Sequence, residues 1–264
     1  MIRAILFDLD GTLKFNRPNG VEAFVQFSAE LGLTFCADAR RNVERWVHAY
    51  WSGKHSGVAR NTPDPAAFWR EYTRGMLNAA GIEDAACQYT QAIVQTFGER
   101  YHSETYVSAE SHAVLRAVRE RGYTLGLVSN RVEELTPVAT ELGLGDYFHF
   151  TLSGGQANSW KPDTRIFLQA CEMADAAPDE CLYVGDNFYA DVIGSQAAGL
   201  TPVLLDPNDV FPDAACVRIA CLNELLSVIN QTGPSPLPLL DDGIIIGSTR
   251  KHGEMQKWTS TNLC

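Results

Sequence analysis

The feature that most narrows the possible folds is a short apolar run over residues 3–7, stopped abruptly by Asp8-Leu9-Asp10-Gly11-Thr12-Leu13. A run this short, ended by Asp and Gly, reads as a buried strand opening into a turn. Two carboxylates two residues apart at such a strand end can point into one pocket. Later runs share the design: residues 123–128 before Ser129-Asn130, 181–184 before Gly185-Asp186, and 201–205 before Asp206. Residues 148–152, stopping at Ser153-Gly154-Gly155, form a further candidate.

Helical patterns fill the intervals. Residues 109–121 carry Val114, Leu115 and Val118 at helical spacing ahead of Gly122, and 132–142, 163–174 and 190–198 behave alike. Strands alternating with helices imply an α/β fold with a parallel, Rossmann-like sheet and right-handed crossovers. Ligands then bind beyond the carboxyl ends of the strands, where the polar stops would converge.

Residues 15–105 break the alternation. Val21, Phe24, Val25, Ser28 and Leu31 share one helix face, as do Val43, Trp46, Val47, Tyr50 and Trp51. Asp64-Pro65 starts a helix carrying Phe68, Tyr72 and Met76, and another spans about 84–101. This predicts an α-helical insertion with its own core, dividing an α/β core of residues 1–14 and 106–230. Trp46, Trp51 and Trp69 are expected to pack its helices together rather than stack on a substrate. After Asn230 the composition turns to Gly, Pro and Ser, so 231–264 reads as a flexible tail outside the fold.

Charge narrows the partners. With 21 Lys and Arg against 32 Asp and Glu, the net charge of −11 argues against nucleic acid, which needs clustered positive charge. One or two local cations could still hold a small phosphorylated substrate. The seven cysteines are scattered, with no C-x-x-C, and suggest small core side chains in a reducing, cytoplasmic setting. No apolar run approaches the roughly 18 residues needed to span a bilayer, and the N-terminus lacks a signal peptide's apolar stretch.

The paired aspartates suggest chemistry. One can attack phosphorus as a nucleophile, while the other protonates the leaving oxygen and then activates water. Crowded carboxylates also invite a cation or a shared proton. A Ser at a strand end, a Lys in a loop or an Asp pair before a helix would mean little alone, since caps and surface charges look the same.

Together, in order, these residues resemble the four motifs of the haloacid dehalogenase superfamily. Asp8-Leu9-Asp10-Gly11-Thr12-Leu13 is similar to the first, Ser129 in Leu127-Val128-Ser129-Asn130 to the second, and Lys161-Pro162 to the third. Gly185-Asp186-Asn187-Phe188-Tyr189-Ala190-Asp191 is similar to the acidic fourth. The insertion sits where that superfamily's C1 cap domain would be, and the resemblance extends over about residues 1–230.

The resemblance implies a Mg²⁺ site made by the Asp8 and Asp186 carboxylates and the Asp10 carbonyl. Asp8 is then the nucleophile, Asp10 the acid and base, and Ser129 and Lys161 the phosphate-holding catalytic pair. Thr12 and Asn130 join them around the phosphate, and Asp191 orients Lys161 or a metal-bound water. Asp10 favours phosphate ester hydrolysis over dehalogenation, because a halide leaving group needs no acid. A sugar-phosphate mutase keeps both aspartates and stays open. A non-catalytic binding protein is disfavoured, since no motif residue is missing.

An enclosing cap favours a small phosphorylated metabolite as substrate, with neither nucleic acid nor membrane as partner. Candidate residues for reading its leaving group are Asn16, Arg17, Arg41, Arg45, His48 and Lys54, most of which a solvated helix face would also explain. Trp160 and Asn187 depart from the family pattern, and the oligomeric state is not legible.

Overall fold

The computed structural model describes residues 1–52, 64–85 and 87–232. The tail from residue 233 and the candidate Lys54 lie outside these residues. Six strands form one parallel sheet: β1 (Ala4–Phe7), β4 (Thr124–Ser129), β5 (Phe150–Ser153), β6 (Cys181–Gly185), β7 (Thr201–Leu205) and β8 (Val217–Ile219). Their order is β5-β4-β1-β6-β7-β8, which puts β1 between two later strands. The chain leaves the centre in both directions, and the crevice at the carboxyl end of β1 is where such sheets bind ligands.

Alternation along β1 shows why its sequence is continuously apolar. Ile5 and Phe7 join Val114, Leu115 and Leu127 on one face, while Ala4 and Leu6 join Ile166, Phe167 and Tyr183 on the other. A strand covered on both faces has no polar side to display. The covering helices include α5 (Ala109–Glu120), α6 (Leu135–Glu141), α7 (Gly154–Ala157), α8 (Thr164–Met173), α9 (Ile193–Ala197) and α10 (Leu225–Thr232). The last runs past Asn230, where the composition had suggested that the fold would stop.

Between residues 18 and 103 stand four helices among the described residues: α1 (Gly20–Glu30), α2 (Ala37–Trp51), α3 (Pro65–Ala79) and α4 (Gln88–Arg100). Asn19 caps α1 and Asp64 caps α3, each through its side-chain oxygen. Phe24, Val43, Met76, Leu77 and Ile93 form a separate core among them. The chain enters and leaves this region through strands absent from the sequence reading. β2 (Lys14–Arg17) pairs antiparallel with β3 (Glu104–Val107), Lys14 opposite Val107. The expected edges at 14/15 and 105/106 fall inside this ladder. Among the described residues, no helix is long and apolar enough to cross a membrane.

Candidate active site

Sheet register builds the site. Phe7 pairs with Leu127 on one side and Val184 on the other, so the residues just beyond them come together. Asp8 follows at the end of β1, its N–H donating to Val184 O at 2.9 Å; Ser129 ends β4 and Asp186 follows β6. Gly11 turns the chain at φ +89°, and a Cβ there would overlap the Asp186 carboxylate, so glycine meets two requirements at once.

Lys161 arrives from the loop between α7 and α8. Its Nζ donates to Asp8 Oδ1 and to Asp191 Oδ1, both at 2.7 Å, in a nearly solvent-free setting. Asp191 sits in a π-helical turn, Phe188–Val192, and its Oδ2 accepts from Asn187 N at 2.9 Å. Thr12, fully buried, donates from Oγ1 to Asp186 Oδ1 at 3.0 Å. Asp8, Asp186 and Asp191 each bring one carboxylate oxygen within 4.8 Å of the others.

Three carboxylates around one ammonium leave negative charge uncompensated. Burial pushes Asp8 up to about 7 although Lys161 opposes it, and burial with the Asp8 charge drives Asp186 well upward. Burial lowers Lys161, but Asp191 and Asp8 more than reverse this and keep it charged. A hard divalent cation suits this oxygen-only donor set. Asp8 and Asp186 each retain a second carboxylate oxygen for it, whereas both oxygens of Asp191 are already engaged.

A cavity of about 700 Å³ opens over these residues, with Asp8, Asp10, Ser129, Asn130, Lys161 and Asp186 in its wall. Two expectations change here. Thr12 holds Asp186 and does not face the cavity. The side chain of Asn130 binds the Lys161 backbone, which leaves only its main chain for a phosphate. Among the leaving-group candidates, Asn16 and His48 line the cavity, while Arg17 lies over Tyr106 and Arg41 pairs with Asp38. Arg45 donates to Val210 O at 2.7 Å. Burial lowers His48 to about 4, and its Nδ1 has no partner. Trp46 packs within the helices against Gly75, whereas Trp51 and Trp69 also reach the cavity wall. Trp160 packs on Gly154 at the start of α7.

Sequence reasoning passed over Arg131. Its Nε donates to Asp10 Oδ2 at 2.7 Å and its Nη2 to Asp10 Oδ1 at 2.8 Å. Burial pushes Asp10 up, but these bonds and the charges of Arg131 and Lys14 hold it below the ordinary carboxylate value. Its position two residues beyond Ser129, at a strand's carboxyl end, was the available signal.

Residues 2–199 match the family model for haloacid dehalogenase-like hydrolases. Haloacid dehalogenase-like hydrolase domain-containing protein 3 of Mus musculus is 31% identical over 81% of this chain and 85% of its own. A phosphoglycolate phosphatase of Pseudomonas fluorescens is 26% identical over 77% of this chain and 69% of its own. The crystal structure of a phosphatase from Thermococcus onnurineus superposes with a TM-score of 0.51 at 24% identity, covering 86% of this chain and 98% of that one.

Proposed function

The chain belongs to the haloacid dehalogenase-like hydrolases, and from that membership we propose that it is a Mg²⁺-dependent phosphatase of a small phosphorylated metabolite. The observation carrying this reading is the pairing of Asp8 and Asp10 at the end of β1, with Lys161 Nζ 2.7 Å from Asp8 in the same cavity. The phosphatase names of relatives agree with it.

Phosphoryl transfer needs in-line positioning and charge compensation on the non-bridging oxygens. Lys161 and the Ser129 hydroxyl hold the phosphate, with the main-chain N–H of Asn130. An Asp8 oxygen attacks phosphorus as the bond to the leaving oxygen breaks, and the protonated form of Asp10, which the Arg131 and Lys14 charges disfavour in the structure, gives that oxygen its proton. Asp10, now ionised, takes a proton from water as the water oxygen attacks the phosphoryl-aspartate. Inorganic phosphate leaves, and Asp8 and Asp10 return to their starting forms. Asp8 and Asp186 would hold Mg²⁺, which would supply charge neutralisation at the phosphate. Asp191 keeps Lys161 aimed at Asp8. α2 and α3 contribute Val47, His48, Trp51 and Trp69 to the cavity wall and, as a cap on the core, would exclude water from it.

Phosphate release from p-nitrophenyl phosphate and a panel of phosphorylated metabolites tests this reading, with Mg²⁺ and with EDTA. Turnover is expected with Mg²⁺ only and is expected to vanish in Asp8→Asn. Turnover surviving in Asp8→Asn, or a folded wild type inert throughout, overturns it.

A further inference from the structure

The cavity over Asp8 has two unlike sides. Its core side carries charge, including Asp8, Lys14, Arg131 and Lys161. Among the described residues, its α2 and α3 side consists of Val47, His48, Trp51 and Trp69, with no charged side chain in neutral solution. Val132, just beyond the end of β4, extends this apolar surface on the core.

Val47, His48 and Trp51 share one face of α2 by helical spacing. The bond from Asn187 Nδ2 to His48 O anchors that face beside Asp186, and Trp51 stands about 4.5 Å further along the helix axis. Its indole is fixed, since Nε1 donates to Tyr72 Oη at 3.0 Å. Trp69, on α3, meets Phe68 and Tyr72 edge to face, with centroids 5.1 and 5.8 Å away, so neither ring stacks in parallel on it. Trp69 keeps 45% of its surface open and Val132 47%, although both are apolar. Two large apolar side chains left open on the wall of one cavity mark a surface for a ligand.

The chemistry of that ligand follows by elimination. A second anion would find its cations committed: Arg131 to Asp10 and Glu133, Lys14 to Asp10, and Lys161 to Asp8 and Asp191. A polyol would exchange water for two indoles and a valine, and the Trp51 N–H already has its acceptor. A planar aromatic ring meets neither obstacle, and its face matches an indole.

We infer that Trp51, Trp69 and Val132 seat an aromatic ring carried by the leaving alcohol, the ring stacking on Trp69 while the phosphate lies at Asp8. The substrate class is a phosphomonoester whose alcohol bears a planar aromatic ring. This rests on the phosphatase reading of the same site. The cavity of about 700 Å³ is of a size that encloses such a molecule.

Two sources share this chemistry, a base on a sugar and a ring one carbon from the phosphate, and matched esters separate them. Full-length protein with Mg²⁺ is assayed on adenosine 5′-monophosphate against ribose 5-phosphate, and on benzyl phosphate against cyclohexylmethyl phosphate. In one pair the aromatic ester should be favoured about 5–100-fold in kcat/KM, the worth of one stacked ring, and that pair identifies the source. The ratio should fall toward 1 in Trp69→Ala, mainly through KM, with Trp69→Phe retaining part of it. Val132→Ser is an independent variant and should lower the same ratio. In Asp8→Asn with Mg²⁺, the favoured ester should quench indole fluorescence saturably, and less so once Trp69→Phe is added.

Ratios near 1 in both wild-type pairs would overturn the inference. So would a ratio unchanged in Trp69→Ala, or an equal loss there on both members of the pair, which would mean that Trp69 only packs the helices. In these cases phosphate is still released and the phosphatase reading stands. A wild type that releases no phosphate from any ester removes both readings together.

Discussion

Asn130 grips the main chain of Lys161 from both sides, its Oδ1 accepting from Lys161 N at 2.7 Å and its Nδ2 donating to Lys161 O at 2.9 Å. The clamp ties the end of β4 to the loop before α8 and so determines where the Lys161 ammonium falls between Asp8 and Asp191. On the proposed mechanism, Asn130→Ala should lower kcat about 10–100-fold, because a small misplacement of a catalytic group has effects of that order. Loss of the two bonds should also cost about 1–3 kcal/mol of stability. Asn130→Asp keeps the acceptor and loses the donor, so it should fall between the two. Phosphate release and thermal melting of the three proteins check the order.

Asp8 has a stability cost with a definite pH dependence. Its folded value is raised by burial to about 7 from an ordinary 3.8, so the folded state holds a proton that the unfolded state releases. The stabilisation this gives is complete below about pH 4 and is lost as pH rises through about 7. In EDTA, the melting temperature of the wild type should therefore fall between pH 5 and pH 8 through this group. Asp8→Asn removes the buried charge and should melt higher than wild type at pH 8, with the gap closing at pH 5. A lower melting temperature for Asp8→Asn at pH 8 would show that the Lys161 ion pair outweighs burial.

The sheet was legible where strands are covered on both faces. Residues 4–7, 125–128 and 181–184 are runs without charged or amide side chains because helices bury both of their sides, and their polar ends carried the site motifs. β2 and β3 escaped because their four-residue sequences, Lys-Phe-Asn-Arg and Glu-Thr-Tyr-Val, are half exposed and pair with a partner some ninety residues away in sequence. β8 is three residues long at the sheet edge, with two of them exposed. The roles of Thr12 and Asn130 were out of reach for a different reason. Each is set by a partner distant in sequence, Asp186 and Lys161, and a hydroxyl or amide beside a phosphate motif gives no sign of which way it points. Arg131 was hidden likewise, because only the folded turn at Gly11 brings Asp10 within its reach.

Thr12→Val tests the support of the proposed metal site. The Thr12 hydroxyl is the side-chain donor that orients Asp186 Oδ1, and valine matches its shape without the donor. Removing such an outer partner of a metal ligand typically weakens the metal about 10–100-fold. The Mg²⁺ concentration for half-maximal activity should rise by that factor, while kcat at saturating Mg²⁺ stays near wild type. Titrating Mg²⁺ into EDTA-treated protein and following the melting temperature gives the same comparison without turnover.

Two polar ties join α2 to the sheet side of the cavity. Asn187 Nδ2 donates to His48 O at 3.0 Å, and Arg45 Nε donates to Val210 O at 2.7 Å with its guanidinium over the Phe211 ring. α2 also contributes Val47, His48 and Trp51 to the cavity wall, so its seating bears on how tightly the leaving group is enclosed. Arg45→Met keeps the aliphatic stem against Phe211 and removes the donor, leaving the Val210 carbonyl without its side-chain partner. A net hydrogen bond is worth about 0.5–1.5 kcal/mol, so KM should rise roughly 2–10-fold while kcat, set by Asp8, Asp10 and Lys161, changes less. Asn187→Asp preserves the caps to Tyr189 N and Ala190 N but turns a donor toward His48 O into an acceptor. It also adds a negative charge beside Asp186, so its melting temperature in EDTA should drop more than that of Arg45→Met, and Mg²⁺ should restore a larger share of the loss. Equal losses for the two variants, with and without Mg²⁺, would place Asn187 outside the influence of the carboxylate cluster.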